Sequence, residues 1–276
     1  MKNIFLVLVA LCGVLASCKD KKKSTETPKI EVQEIELEAH EVSYSSDSIQ
    51  MKGYIVHDKN LNKKRPGIIV IHEWWGHNDY VRERADMLAE LGYTAMAIDM
   101  YGDGKVAGHP EDAGKFSGVL RNNVPLASAR FDAALHVLKN DPSVNPEDIA
   151  VIGYCFGGSM ALTMANTGKD IDAVAAFHSG VQLPVMPNNK LKAKVLIANG
   201  GSDPFIPKES VEAFKIAMDS INADYKYMEF PEAQHAFTSK GADALGEKFN
   251  LPLKYNAEAD AKSWEALKNL LNKTFN

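Results

Sequence analysis

Ile149-Ala150-Val151-Ile152-Gly153-Tyr154-Cys155-Phe156-Gly157-Gly158-Ser159 is the stretch whose reading decides the fold. The apolar run over 149–152 predicts a short buried strand, and the run over 159–167 has the character of a helix. Between them stands a cysteine hedged by glycines, the residues that let a backbone turn sharply and approach its neighbours closely. A strand, a tight turn bearing a reactive side chain and a helix start make a nucleophile elbow, here with cysteine where serine is usual.

Outward from this stretch the chain alternates between the two periodicities. A hairpin is expected over 41–46 and 49–57, and buried strands over 67–71, 93–98, 149–154, 171–177, 194–198 and 225–230. Helices are expected over 79–91, 123–138, 159–167, 208–221 and 257–275, with Asp141-Pro142 and Asn145-Pro146 breaking the chain before the elbow strand. Strands alternating with helices predict an α/β protein, a mostly parallel twisted sheet covered on both faces. The length of 276 residues suits one such domain with a large core. The net charge of -5 is mild and gives no reason to expect a nucleic-acid partner.

The first forty residues read differently. A basic start is followed by an apolar run over 4–15, too short to span a bilayer comfortably, and then by Leu15-Ala16-Ser17-Cys18. That order resembles a bacterial lipobox, so residues 1–17 are expected to be a lipoprotein-type signal peptide, with Cys18 lipidated. The alternative is a cut by ordinary signal peptidase that frees a secreted protein. Residues 18–40, beginning Lys19-Asp20-Lys21-Lys22-Lys23, read as a disordered tether, and residues 41–276 as the folded domain. The expected location is the bacterial cell envelope, membrane-anchored on the periplasmic or surface side. Of the three cysteines, Cys12 leaves with the signal and Cys18 is acylated, which leaves Cys155 without a disulfide partner. An unpaired thiol in an exported protein points to reactivity, against the alternative of an inert core cysteine.

The elbow identifies the α/β-hydrolase fold, in which nucleophile, acid and histidine follow one another along the chain. Asp203, in Asn199-Gly200-Gly201-Ser202-Asp203-Pro204, and His235, in Gln234-His235-Ala236-Phe237, follow Cys155 in that order. Each lies just past a predicted strand, at the sheet edge where open α/β folds bind ligands. His235 is expected to move the thiol proton and Asp203 to orient the imidazole. The Phe156 amide at the helix start and the Trp74 amide in His72-Glu73-Trp74-Trp75-Gly76 are the candidate oxyanion donors. Glu73, a carboxyl among aromatics, is expected to be desolvated and raised in pKa; it either exchanges a proton with Cys155 or merely bonds loop amides or Arg82.

His72-Glu73-Trp74-Trp75-Gly76, Gly153-Tyr154-Cys155-Phe156-Gly157-Gly158, Gly201-Ser202-Asp203-Pro204-Phe205-Ile206-Pro207 and Gln234-His235-Ala236-Phe237 together resemble the dienelactone hydrolase family. The resemblance implies a carboxylic ester or lactone hydrolase, with carboxymethylenebutenolidase as the named activity and a triad at Cys155, Asp203 and His235. It also implies that Glu73 matches a glutamate that holds and activates the thiol, and it implies no metal and no organic cofactor. The family's founding enzymes grip a substrate carboxylate with arginines, but the corresponding stretches here read Asp99-Met100-Tyr101-Gly102-Asp103-Gly104-Lys105 and Thr238-Ser239-Lys240. Tyr101 and Lys240 stand in as candidate substrate-binding residues, although a lysine cannot form a bidentate fork.

His72, His77 and His109 lack the spacing of a metal site, so no metal is expected. His178 either faces the site or caps the strand before it, and Trp74 and Trp75 are either pocket wall or core. The expected partners are a small ester or lactone and the membrane, with the chain a monomer. The alternatives are a peptidase or acyltransferase on the same fold, or a ligand-binding lipoprotein without catalysis.

Overall fold

The computed structural model describes residues 34–276. The expected signal peptide, the lipidation site Cys18 and the tether as far as residue 33 lie outside the described residues. The elements run β1 (Leu37–Ser46), β2 (Ile49–Asp58), β3 (Arg65–Ile71), α1 (Asp79–Glu90), β4 (Thr94–Ile98), α2 (Pro110–Arg121), α3 (Val124–Lys139), β5 (Val144–Tyr154), α4 (Phe156–Asn166), β6 (Ala173–Phe177), β7 (Lys194–Gly200), α5 (Lys208–Ser220), β8 (Tyr225–Phe230), α6 (Ala242–Phe249) and α7 (Ala257–Phe275). The strands form one eight-stranded sheet in the order β1-β2-β4-β3-β5-β6-β7-β8. β1 and β2 pair antiparallel, β2 meets β4 antiparallel, and every other pairing is parallel. This is the α/β-hydrolase architecture that the alternation predicts. Among the described residues no helix is long and apolar enough to cross a membrane.

The central strands are apolar throughout because both faces of the sheet are covered. Successive residues of β3 feed opposite cores: Ile69 and Ile71 pack with Phe131 of α3, Met160 of α4 and Phe214 of α5. Ile68 and Val70 pack with Val81 and Leu88 of α1 and Leu267 and Leu271 of α7. The two-residue period of a strand thus sorts one unbroken apolar run into two layers. A smaller cluster joins Trp75 to Ala113 of α2, Ala242 of α6 and Leu253, beside the carboxyl edge of the sheet.

Four expectations are corrected. The folded unit begins at Glu34 and β1 at Leu37, so the boundary at 41 falls inside a strand. β1 is a mostly exposed edge strand held by ten residue pairs to β2, and its polar composition resembles a linker. β5 begins at Val144 rather than at 149: Arg65 and Pro66 pair with Val144 and Asn145, residues 146–148 loop out, and pairing resumes at Gly67 with Ile149. Pro142 precedes the strand, whereas Pro146 marks a bulge inside it, not its end. Two helices, α2 and α6, are absent from the sequence expectation; α2 carries Gly114 and Gly118, and α6 is only eight residues long and carries Gly246, so glycine lowers the helix propensity of both. The Phe156–Asn166 helix also starts three residues earlier than its composition suggests.

Candidate active site

The glycines around Cys155 are dictated by contact. A Cβ on Gly153 would sit 2.2 Å from the carbonyl of Gly157, and one on Gly157 would sit 2.2 Å from the carbonyl oxygen of Ile71. Only glycine lets α4 start this close to the sheet. Cys155 itself takes φ 53° and ψ −117°, a strained conformation for a residue with a side chain, and its N–H donates to Phe177 O at 2.9 Å. The turn leaves the thiol half-buried at the carboxyl edge of β5.

The structure brings the other two candidates to it. His235 Nε2 lies 3.1 Å from Cys155 Sγ, and His235 Nδ1 lies 2.7 Å from Asp203 Oδ2. The Asp203 carboxyl is wholly inaccessible, and its Oδ1 accepts from the Phe205 amide at 2.9 Å. Asp203 follows β7 and His235 follows β8, so the ends of three parallel strands converge, with β6 lying between β5 and β7. Burial pushes the His235 imidazole down in pKa, but negative charge on Cys155 and Asp203 outweighs it and holds the ring up at about 10. The ring is gripped edge-on from two sides, by Phe205 with centroids 5.1 Å apart and by His178 at 5.4 Å. His178 is wholly buried, so of its two expected positions it takes the one facing the histidine.

Phe156 is the first residue of α4, and its amide, like that of Trp74, donates to no acceptor among the described residues. Both residues line one cavity with Cys155 and His235. The cavity is about 340 Å³ and is walled by Met160, Val181, Pro184, Phe205, Pro207 and Leu253. Trp74 is therefore pocket wall, whereas Trp75 packs against Phe249 in the core.

Glu73 is almost fully buried, and burial raises its carboxyl to about 7 despite the opposing pull of His235 and Arg84. It does not pair with Arg82, which is bound to Glu41. Nor does it touch Cys155, whose side-chain partner is His235; the expected direct exchange between Glu73 and the thiol has no contact behind it here.

The two substrate-binding candidates fall outside the cavity. Tyr101 is buried one layer behind it, donating its hydroxyl to Trp74 O at 3.0 Å and packing on His72 and Phe156. Lys240 is exposed and lines no part of it. Arg121, which the sequence reading passes over, does line it. It ends α2, donates Nη2 to Ser117 Oγ at 2.7 Å and lies over the Phe156 ring at 5.9 Å. Among the described residues it has no carboxylate partner within 4.0 Å, in contrast to Arg82 and Arg84. Its signal in the sequence is the basic last turn of a helix that the glycines conceal.

The metal-site histidines are each used elsewhere. His72 donates Nδ1–H to Glu73 O and accepts the Met100 amide at Nε2, and burial lowers it to about 4. His77 bonds Ala97 O at 3.1 Å, and His109 caps α2. Among the described residues no group of three His, Cys, Asp or Glu side chains converges on a point where a metal could sit.

Comparison with known proteins places this geometry. The model of the dienelactone hydrolase family matches residues 51–275. The chain is 29% identical to "Protein usf" of Aquifex pyrophilus over 204 residues, covering 72% of this chain and 87% of that one. It is 24% identical over 229 residues to a protein of Aquifex aeolicus provisionally named carboxymethylenebutenolidase, covering 81% of this chain and 94% of that one. Among solved structures, m3DLH superposes with a TM-score of 0.83 at 33% identity, covering 87% of this chain and 99% of that one. A dienelactone hydrolase-like promiscuous phosphotriesterase from metagenomic libraries superposes at 0.81 and 31% identity, with the same coverage of 87% and 99%.

Proposed function

We propose a thiol acyl-enzyme mechanism for this chain, which belongs to the dienelactone hydrolase family and is accordingly a hydrolase acting on ester bonds. The observation that carries the reading is the unbroken run of short contacts from Asp203 through His235 to Cys155. With the substrate carbonyl over Sγ, the proton shared by Sγ and His235 Nε2 rests on the nitrogen as sulfur attacks carbon. The oxyanion develops toward the Phe156 and Trp74 amides, which make no other hydrogen bond among the described residues. His235 returns the proton to the leaving oxygen as the C–O bond breaks, giving a thioester. It then draws a proton from water, which attacks the thioester and releases the acid and the thiol. Asp203 keeps the proton on Nδ1 and supports the imidazolium at each stage. Glu73, a buried carboxyl, does not touch sulfur in this arrangement. The test is the intermediate: a slowly hydrolysed aryl ester adds one acyl mass to the wild type and none to Cys155→Ala. Transfer of that acyl group to added amines or alcohols faster than to water would favour the acyltransferase alternative, and cleavage of peptides in place of esters the peptidase.

Arg121 extends the proposal to the substrate. The cavity wall is apolar apart from Arg121, Ser159, Gln182, Ser210, Cys155 and His235, so Arg121 is the cation outside the reacting pair that an acidic group on the ester meets. Arg121→Gln is expected to lower kcat/KM for an ester bearing a carboxylate by about tenfold, the scale of one charge-assisted hydrogen bond at a partly wet site. Hydrolysis of a neutral ester of the same shape stays within twofold. Equal effects on the two esters would remove Arg121 from substrate recognition.

We further propose that the chain is a lipoprotein of the cell envelope, on the strength of Leu15-Ala16-Ser17-Cys18 after the apolar run. Metabolic labelling with a fatty acid should mark the wild type and Cys155→Ser but not Cys18→Ser. Labelling that survives in Cys18→Ser defeats the proposal.

A further inference from the structure

The buried polar residues behind His235 form a group that the acyl-transfer steps do not use. His178 Nε2 lies 2.7 Å from Thr238 Oγ1, and Tyr80 OH lies 2.6 Å from the same oxygen. Arg84 donates to Thr238 O and is itself held by Asp260 at 2.9 Å. One threonine, three residues past the histidine of the triad, is thus tied to the end of β6 through His178 and to α1 through Tyr80 and Arg84. His178 and Thr238 are at most 2% exposed, so water does not compete for these bonds.

The segment so tied is strained. Ala236, next to His235, has φ 58°, and His178 has φ 39°, the left-handed region that residues with a Cβ avoid. Such conformations persist only where the surroundings over-determine them. The backbone bond from Lys254 N to His235 O, at 3.1 Å, holds the chain at His235, but the imidazole depends on how the turn beyond it is seated. The His178 ring also lies edge-on against that imidazole. His178 Nδ1, moreover, is buried with no hydrogen-bond partner among the described residues. An apolar side chain would avoid that cost, so the core alone gives no reason for a histidine there.

We propose that His178, Thr238 and Tyr80 are positioning residues: their hydrogen-bonded chain seats the strained turn after His235 and so sets the approach of Nε2 to the Cys155 thiol. The inference rests on the thiol acyl-enzyme reading but concerns a different set of atoms. The titratable groups coupled to His235 are Cys155, Asp203, Glu73 and His178, and of these only His178 loses a hydrogen bond when Thr238 loses its hydroxyl.

The test compares Thr238→Val, which keeps the shape and removes the hydroxyl, with Thr238→Ser, which keeps the hydroxyl. Tyr80→Phe and His178→Phe serve as second variants should Thr238→Val fail to fold. On a small activated aryl ester, Thr238→Val and His178→Phe are expected to lose tenfold or more in kcat with KM within twofold, Tyr80→Phe to lose severalfold, and Thr238→Ser to stay within twofold of wild type. The rate at which iodoacetamide alkylates Cys155 should fall in the same order, its pH profile displaced upward where the imidazole is less well placed. Loss of melting temperature with kcat and alkylation unchanged would make the chain of bonds merely structural and overturn the proposal, as would Thr238→Ser falling as far as Thr238→Val. A wild type that alkylates normally but forms no acyl adduct would defeat the hydrolytic mechanism and leave the alkylation series to decide the positioning role.

Discussion

Cys155→Ala is expected to slow hydrolysis of a small activated aryl ester by about 10⁴-fold or more, the scale on which members of a nucleophile–base–acid unit fail when one is removed. No other side chain can take its place, because the strained elbow aims this one position at the cavity and His235 Nε2 meets no other nucleophile. Residual catalysis would come from binding and from the Phe156 and Trp74 amides alone. The fold should survive: alanine is no larger than cysteine, the site is only half-buried, and Gly153 and Gly157 hold the close approach of α4 to the sheet. Initial rates and melting temperatures measured side by side decide the matter. A rate within tenfold of wild type would remove the thiol from the mechanism.

Glu73→Gln is expected to stabilise the folded protein, and more so as pH rises. Burial lifts the Glu73 carboxyl from its ordinary 4.5 to about 7, so the folded state holds this proton more tightly than the unfolded chain. Between pH 4.5 and 7 the unfolded chain ionises here while the folded one does not, and stability falls across that window; above it the loss is complete. A displacement of this size corresponds to about 3 kcal/mol. Glutamine cannot ionise and escapes the loss. Urea unfolding should therefore show a small difference between variant and wild type at pH 5, and a gain for the variant approaching about 3 kcal/mol at pH 8. A difference that is the same at both pH values, or a variant less stable at pH 8, would mean that the carboxyl is compensated in a way its surroundings do not show. A buried, partnerless acid beside His235 is the kind of cost that persists where activity needs it, so the same variant is expected to be the slower enzyme at neutral pH.

What could be read from the chain followed from local rules. The elbow, the strand runs and the order Cys155, Asp203, His235 are legible because each depends on a few neighbouring residues and on which end of a strand they follow. Reading failed where the signal was weak or distributed. β1 is a polar edge strand whose only support is its partner, and α2 and α6 carry glycines and few buried side chains. Tyr101 and Lys240 show the other limit. Both occupy stretches that correspond to the arginines of the founding enzymes, yet Tyr101 turns inward to Trp74 O and Lys240 turns out to solvent. The guanidinium that does reach the cavity, Arg121, comes from one of the helices that went unread.

By itself, then, the amino-acid order determined the α/β-hydrolase fold and singled out Cys155, Asp203 and His235 together with the strand ends that carry them. Only the tertiary structure decided that they meet, across 80 residues from Cys155 to His235 and 32 from Asp203, and that Glu73 is buried without a contact to the sulfur. It alone tied Thr238 to His178 and Tyr80, 60 and 158 residues away. The physical reason is that strand and helix signals are set by near neighbours in the chain, whereas the direction of a side chain, its burial and the field it feels are set by whichever distant segments pack around it.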